Sequence, residues 1–325
     1  MSGTATPLVC PDCRVGLRNE PGTWACEECS RVYPIEAGIA DFSGGVYSDV
    51  FSSERDVTPE LEQCFRDEEA GTRARVADFY LPKLRRLASA GRALRVLDCG
   101  CGNGLSVDLL GDAGIEAWGN DVSLVRKWQW RERRRPERLL VASGARLPFP
   151  DGYFDAVVAC GVLEHVGVIE ASGPPYTVRA APLQRDARAA FLRELLRVVR
   201  VPGRLWVDFP NGRHPIDFWH GTGAGGARFH PLDEGFLPSV SEVRDLLAAP
   251  GPACRARAIS PYRRLRFKRV RRRWYGKLFS PAITAFFQLM RVPGLRWLAA
   301  SPMNPFLVIE IEKPAAGAGP SSGAV

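Results

Sequence analysis

The stretch Arg95-Val96-Leu97-Asp98-Cys99-Gly100-Cys101-Gly102-Asn103-Gly104 constrains this chain more than any other. A short apolar run ends in an acid and then in glycines at alternate positions, the pattern of a buried strand breaking into a tight turn that opens a helix. Side chains are missing where backbone must come within contact distance of a bulky ligand, and the acid stands where the strand's carboxyl end meets that ligand. A nucleoside-type cofactor is the expectation.

A glycine turn on its own is a weak signal, and the residues downstream of it decide its meaning. A second strand, near 115–119, delivers Asn120-Asp121-Val122-Ser123, placing a carboxylate about 20 residues beyond the glycines, where ribose hydroxyls need an acceptor. Next come Leu147-Pro148-Phe149-Pro150-Asp151-Gly152-Tyr153-Phe154-Asp155-Ala156-Val157-Val158 and Cys160-Gly161-Val162-Leu163-Glu164-His165-Val166. Strands are expected near 93–98, 115–120, 138–142, 154–159 and 204–209, with helices near 105–113, 123–133 and 186–200. Such alternation implies an α/β fold whose parallel sheet is covered on both faces, with ligands at the carboxyl ends of the strands. A helix at 239–249, a strand at 254–260 and a last strand at 306–312 complete the pattern.

Ahead of this domain, Cys10-Pro11-Asp12-Cys13 and Cys26-Glu27-Glu28-Cys29 form two Cys-x2-Cys pairs. Two such knuckles supply the tetrahedral sulfur cage favoured by structural zinc, and four protein ligands leave no open position for catalysis. Metal binding would supply much of the folding free energy of so short a segment, with Trp24, Tyr33-Pro34-Ile35 and Gly38-Ile39 packed around it. The expected organisation is a zinc ribbon at 1–43, a linker and helical cover at 44–92 with breaks near Gly71 and Pro82, a main domain at 93–313 and a disordered tail at 314–325.

Taken together, the four ordered motifs from Asp98 to Val166 resemble those of the class I S-adenosylmethionine-dependent methyltransferases, specifically the type 11 group, and the N-terminal part is similar to Trm112-like zinc ribbons. The resemblance covers roughly 93–209 and implies a Rossmann-like, mostly parallel sheet whose last strand is antiparallel. It implies S-adenosylmethionine as cofactor, with Gly100, Cys101 and Gly102 approaching its methionine part, Asp98 holding its ammonium and Asp121 accepting the ribose hydroxyls. Cys160 and Gly161 would line the pocket by backbone contact. Family members commonly carry Asp-Ala before the Leu-Pro-Phe segment to bind adenine; this chain has Ser143-Gly144-Ala145, and a hydroxyl accepts the same bond more weakly. Asp155 reads as a fold-stabilising acid rather than a ligand.

Methyl transfer from a sulfonium is largely a matter of alignment, although a hydroxyl nucleophile also gains from a base near neutral pKa. All four histidines, His165, His214, His220 and His230, follow the fourth and fifth strands of the domain. His214 or His220 is the expected base or acceptor contact, with Asp217 as an orienting carboxylate and His165 as a further candidate. Tyr176 is a candidate acceptor contact. A Glu-x-x-Glu-His pattern binds magnesium in some methyltransferases; here Gly161 occupies the first position, so no catalytic metal is expected.

The formal net charge is +8, yet between Leu246 and Ile309 stand thirteen Lys and Arg and no Asp or Glu, leaving the rest of the chain net acidic. An insertion at 261–304 interleaves nine Lys or Arg between Tyr262 and Lys277 with aromatics, then continues into the apolar run around Phe286-Phe287. Three readings fit: a segment lying on an anionic bilayer surface, an RNA contact, or a helical lid packed on the protein itself. No uncharged apolar run reaches the roughly 18 residues of a membrane span, and the N-terminus lacks a signal peptide's order, so a cytoplasmic protein, peripheral at the inner membrane face, is expected. The leading expectation is a methyltransferase acting on a hydroxyl or similar group of a small-molecule, glycan-like or lipid-linked acceptor. An RNA methyltransferase and a non-catalytic cofactor-binding adaptor are the alternatives.

Overall fold

The computed structural model describes residues 7–48, 58–88, 92–171, 177–220, 227–248, 254–265 and 274–314. Tyr176, the run 266–273 and nearly all of the expected tail lie outside them. Chain order begins with β1 (Arg18–Glu20), β2 (Thr23–Ala25), β3 (Val32–Glu36) and β4 (Ile39–Asp41), then α1 (Pro59–Arg75), a π turn (Val76–Tyr80) and α2 (Leu81–Leu84). The main domain alternates through β5 (Arg95–Cys99), α3 (Leu105–Asp112), β6 (Glu116–Asp121), α4 (Leu124–Trp130), β7 (Leu139–Val141) and β8 (Phe154–Cys160). A hairpin of β9 (Val168–Ala171) and β10 (Thr177–Ala180) precedes α5 (Gln184–Val198) and β11 (Val199–Pro210). The chain ends through β12 (Ile216–Asp217), β13 (Arg228–Phe229), α6 (Val240–Ala248), β14 (Arg255–Ile259), a helix at Trp274–Leu289 and β15 (Phe306–Lys313).

One eleven-stranded sheet runs in the order β1-β2-β3-β4-β7-β6-β5-β8-β11-β15-β14. Its centre, β7-β6-β5-β8-β11, is parallel, whereas β15 pairs antiparallel with both β11 and β14. This is the expected α/β fold with its antiparallel last strand. Alternate residues on one strand face opposite sides. Leu97, Leu205 and Val207 join one core with Phe149, Phe154, Phe191 and Leu195, while Val96 and Trp206 join the other with Phe79, Tyr80 and Trp130. Asp155 accepts from the Arg95 backbone N–H at 2.7 Å and pairs with Arg92 and Arg200, so it ties the start of β5 to β8 and β11.

Two details depart from the sequence expectation. No break occurs at Gly71, because α1 continues unbroken to Arg75. The cysteine-bearing hairpins are also not a separate lobe: β4 pairs in parallel with β7, Ala40 opposite Leu140 and Asp41 opposite Val141, so they extend the main sheet edge to edge.

Candidate cofactor and acceptor site

The carboxyl ends of β5, β6, β8 and β11 converge on the expected edge. After β5 the backbone turns with positive φ at Gly100 (73°) and Gly102 (56°), a conformation that L side chains rarely adopt. A methyl at Gly100 would also collide with Val162 Cγ2, so the turn demands glycine on both grounds. Asp121, at the end of β6, braces this turn: its Oδ2 accepts from the Gly102 N–H at 3.0 Å and its Oδ1 from the Val122 and Ser123 N–H groups at 2.8 and 3.3 Å. One lone-pair direction on Oδ2 remains for a ribose hydroxyl. Burial pushes the Asp121 carboxyl up, against the opposing pull of Arg126.

Asp98 is only 4 % exposed. Its Oδ2 accepts from Ser106 Oγ and lies 3.9 Å from the Arg75 guanidinium, but its Oδ1 has no hydrogen-bond partner. A buried carboxylate oxygen without a donor costs free energy, and an ammonium group is the chemistry that satisfies it. The residues present therefore fit the methionine end of S-adenosylmethionine. Helix α1 covers the same turn through Glu68, which would meet any side chain at Gly102 and which pairs with Arg126 at 2.8 Å.

Ser143 is exposed, with its Oγ accepting from the Ala145 N–H at 3.2 Å. Gly144 is structural as well as permissive, since a Cβ there would press into the Phe191 ring and Cys99 Sγ. Beside Val122 and Ser143 lies a cavity of about 370 Å³ whose far wall comes from the N-terminal segment through Pro11, Asp12, Arg31 and Tyr33. Cys10, Cys13, Cys26 and Cys29 bring their sulfurs within 4.8 Å of one another, with Cys10 and Cys29 3.8 Å apart. Zinc at about 2.3 Å from each of four tetrahedral sulfurs would set neighbouring sulfurs at about 3.8 Å, so the set fits a structural zinc ion.

Sequence reasoning missed a buried charge cluster at the ends of β8 and β11. Fully buried Asp208 receives Arg264 in a two-pronged pair at 2.6 and 2.7 Å and accepts a hydrogen bond from the Tyr80 hydroxyl. Cys160 Sγ lies 3.4 Å from the same hydroxyl, and burial lifts its thiol to about 12, which makes it a neutral lining group. Arg264 was legible only as one of a basic run; it is spent inside the protein.

The histidines divide. His214 Nδ1 meets the Pro302 carbonyl at 2.9 Å, and buried His230 meets the His214 carbonyl at 2.8 Å, so both organise the loop after β11. His220 Nδ1 lies 2.9 Å from Asp217 Oδ2, and the His165 and His220 rings stand 5.3 Å apart, edge to face. Although burial opposes it, hydrogen bonds from His220 and from the Trp219 and His220 N–H groups hold the Asp217 carboxyl at about 2. Glu164, which with His165 is what remains of the Glu-x-x-Glu-His pattern, is buried beside these histidines with its Oε2 unpartnered. The structure thus joins Asp217, His220 and His165 and leaves His214 apart.

On the face of the sheet that α2 covers, a cleft of about 720 Å³ is lined by seven cationic side chains, among them Lys83, Arg263 and Arg291, against Asp78 and Glu310. Burial, with Arg86 and Arg291 nearby, lowers the Lys83 ammonium to about 8 despite the pull of Glu310. The apolar residues of 261–304 split: Phe287, Met290 and Leu298 pack with Tyr262 and Leu265, whereas Leu289, Val292 and Trp297 are exposed. No helix among the described residues is long and apolar enough to cross a membrane.

Comparison with known proteins agrees with this geometry. Residues 97–207 match the family described as "Methyltransferase domain". The chain is 31% identical over 127 residues to a "Probable S-adenosylmethionine-dependent methyltransferase" of Mycobacterium tuberculosis, covering 39% of each chain. It is 37% identical over 114 residues to a demethylmenaquinone methyltransferase of Beutenbergia cavernae, covering 35% of this chain and 39% of that one. The alignments thus span about two fifths of these curated relatives. Among solved structures, a chain of the complex between the Haloferax volcanii Trm112 methyltransferase activator and a methyltransferase is 16% identical with a TM-score of 0.44, over 81% of this chain and 98% of that one. Residues 97–207 thus match a methyltransferase domain and are similar to S-adenosylmethionine-dependent methyltransferases.

Proposed function

We propose that this protein methylates a hydroxyl or similar group on a small, glycan-like or lipid-linked acceptor, working at the inner face of a membrane. The observation that carries the reaction class is Asp98, a buried acid at the end of the first central strand with one oxygen awaiting a cationic partner, beside Asp121 and the glycine turn. S-adenosylmethionine bound there supplies a methyl group on a sulfonium, whose departure leaves the bonding electron pair on sulfur as a neutral thioether. Asp98 holds the ammonium, Asp121 the ribose, and the cavity beside Val122 and Ser143 takes the adenine. The acceptor oxygen forms the new bond to carbon with its own electron pair and must lose its proton. The Asp217–His220 pair lies at the edge where that proton has to leave: Asp217 holds Nδ1 as the protonated nitrogen and keeps the lone pair on Nε2.

Two features support an anionic, lipid-associated acceptor: the cationic cleft and the exposed Leu289, Val292 and Trp297 beside it. Arginine and lysine over phosphate head groups, with an aromatic and aliphatic rim, suit an anionic bilayer surface. We read the cysteine-bearing segment as a Trm112-like, structural zinc ribbon, supported by the clustering of its four sulfurs, although its loop of twelve residues between the pairs is slightly shorter than usual.

The test incubates full-length, zinc-loaded protein with methyl-labelled cofactor and separated lipid, glycan and RNA fractions, alongside flotation with vesicles containing anionic lipid. Label in the lipid or glycan fraction and co-flotation with anionic but not neutral vesicles are expected. Label confined to RNA would replace the acceptor assignment, and no cofactor binding by calorimetry would overturn the reaction class.

A further inference from the structure

We propose that Glu164, His165 and His220, backed by Asp217, form a binding site for a divalent transition-type cation, with zinc or manganese chemistry, at the acceptor edge of the sheet. Glu164 and His165 share one short turn after β8, while His220 arrives from the loop beyond β11; a ligand atom from each lies within 4.8 Å of the others. Donors about 2.1 Å from a common ion stand about 3 to 4 Å apart, so small side-chain rotations close the set.

Three independent features point to a cation rather than a chance cluster. Glu164 is 1 % exposed and its Oε2 has no hydrogen-bond partner. An unsatisfied buried carboxylate oxygen is costly, and a bound cation is one of few groups that repay the cost. The Asp217 Oδ2 to His220 Nδ1 contact at 2.9 Å is the carboxylate–imidazole arrangement that orients a metal-binding histidine from behind, raising the basicity of the other nitrogen. Asp217 is itself fixed by Arg228 Nε at 3.2 Å and by two backbone N–H groups, so the pair is rigid. His165 is exposed, so three protein donors would leave positions open to solvent and acceptor, unlike the closed four-sulfur cage.

Two imidazoles and one carboxylate are borderline donors that favour first-row divalent ions over magnesium or calcium. Methyl transfer moves no electrons between metal and substrate, so the ion would serve as a Lewis acid, binding the acceptor oxygen and easing loss of its proton; with the ion on His220 Nε2 that proton passes to solvent at the exposed His165 side rather than to His220. The role, though not the site, rests on the methyltransferase reading above. It also explains why Asp217 supports His220 at the place where the acceptor must enter.

Full-length protein with its ribbon loaded with zinc is titrated with Mn²⁺, following loss of the free-ion electron paramagnetic resonance signal, and S-adenosylmethionine binding is measured by calorimetry on the same sample. One Mn²⁺ per chain is expected, displaced by added Zn²⁺. Glu164→Gln and His220→Ala should each weaken it at least about tenfold, and Asp217→Asn about 10 to 100-fold. Circular dichroism confirms folding, and the isosteric Glu164→Gln decides the matter if His220→Ala misfolds. No saturable Mn²⁺ or second-equivalent Zn²⁺ binding, or equal binding by Glu164→Gln, overturns the site. Loss of cofactor binding with metal binding intact would instead sink the methyltransferase reading alone.

Discussion

Lys127→Met tests how the cysteine-bearing segment is held to the sheet. The Lys127 ammonium, on α4, lies 2.9 Å from Asp41 Oδ2 at the end of β4 and 3.2 Å from Glu36 Oε2. Lys127 and Asp41 expose 8 % and 4 % of their side chains, whereas Glu36 exposes 56 %, so the Glu36 contact adds little. Removing one partner of a buried pair typically costs about 3–5 kcal/mol, because the other charge is stranded. Asp41 keeps hydrogen bonds from Ser43 N–H (2.9 Å), Ser43 Oγ (2.6 Å) and Tyr47 (2.8 Å), which places the expected loss near the lower end, about 3 kcal/mol at pH 7. Asp41→Asn in the same chain should recover part of it, with a coupling of about 2 kcal/mol in the double-mutant cycle. The assay is urea unfolding followed by the fluorescence of buried Trp118 and Trp130. The pH dependence has a definite sign. Burial pushes the Asp41 carboxyl up, but Lys127, Ser43 and Tyr47 together hold it below its ordinary value. Its contribution in the parent protein is therefore present above the unfolded value of about 3.9 and is lost as pH falls through the lower folded value. In Lys127→Met the carboxyl loses its main support, and the gap between variant and parent should narrow as acid neutralises Asp41. A loss under about 0.5 kcal/mol, a coupling near zero, or a gap independent of pH would refute the reasoning.

Stripping metal from Cys10, Cys13, Cys26 and Cys29 should lower both the melting temperature and cofactor affinity, the latter by about tenfold, because Pro11, Asp12, Arg31 and Tyr33 wall the cavity beside Val122 and Ser143. Calorimetry before and after chelation and zinc return measures this, and unchanged affinity of the stripped protein would refute it. Asp98→Asn keeps the volume and removes the charge, so cofactor binding should weaken by roughly tenfold to a hundredfold, matching about 1.5–3 kcal/mol for a charged hydrogen bond. Equal affinity for parent and variant would remove Asp98 from the site. Gly100→Ala, forced to positive φ and against Val162, should cost about 1–3 kcal/mol in denaturant unfolding, and a neutral result would contradict the turn geometry.

What could be read from the sequence was local chemistry. Strand, acid, glycine turn and helix succeed one another within β5 and α3, so Asp98 and its turn were legible, as were the two cysteine pairs. What could not be read depends on contacts between distant segments. Nothing near Asp41 announces that β4 will lie beside β7, and nothing in an arginine run tells Arg264, buried against Asp208, from neighbours that face solvent. Helix α1 passes through Gly71 because it lies over the glycine turn, with Glu68 paired to Arg126, a tertiary gain that outweighs the local cost of glycine in a helix. The Glu164 cluster shows the same limit. A contiguous spacing rule stops at Gly161, where the first expected ligand is missing, while the fold brings a histidine from the loop beyond β11 to the place the rule cannot see. The accessory segments then become part of the site's architecture. The cysteine-bearing segment walls the cavity beside Val122, the helical segment before β5 brings Glu68 to Arg126, Arg75 to Asp98 and Tyr80 to Asp208, and the insertion sends Arg264 to Asp208. The matched domain supplies the central strands, their carboxyl ends and part of the lining at Val122 and Ser143, and the remaining contacts come from segments outside it.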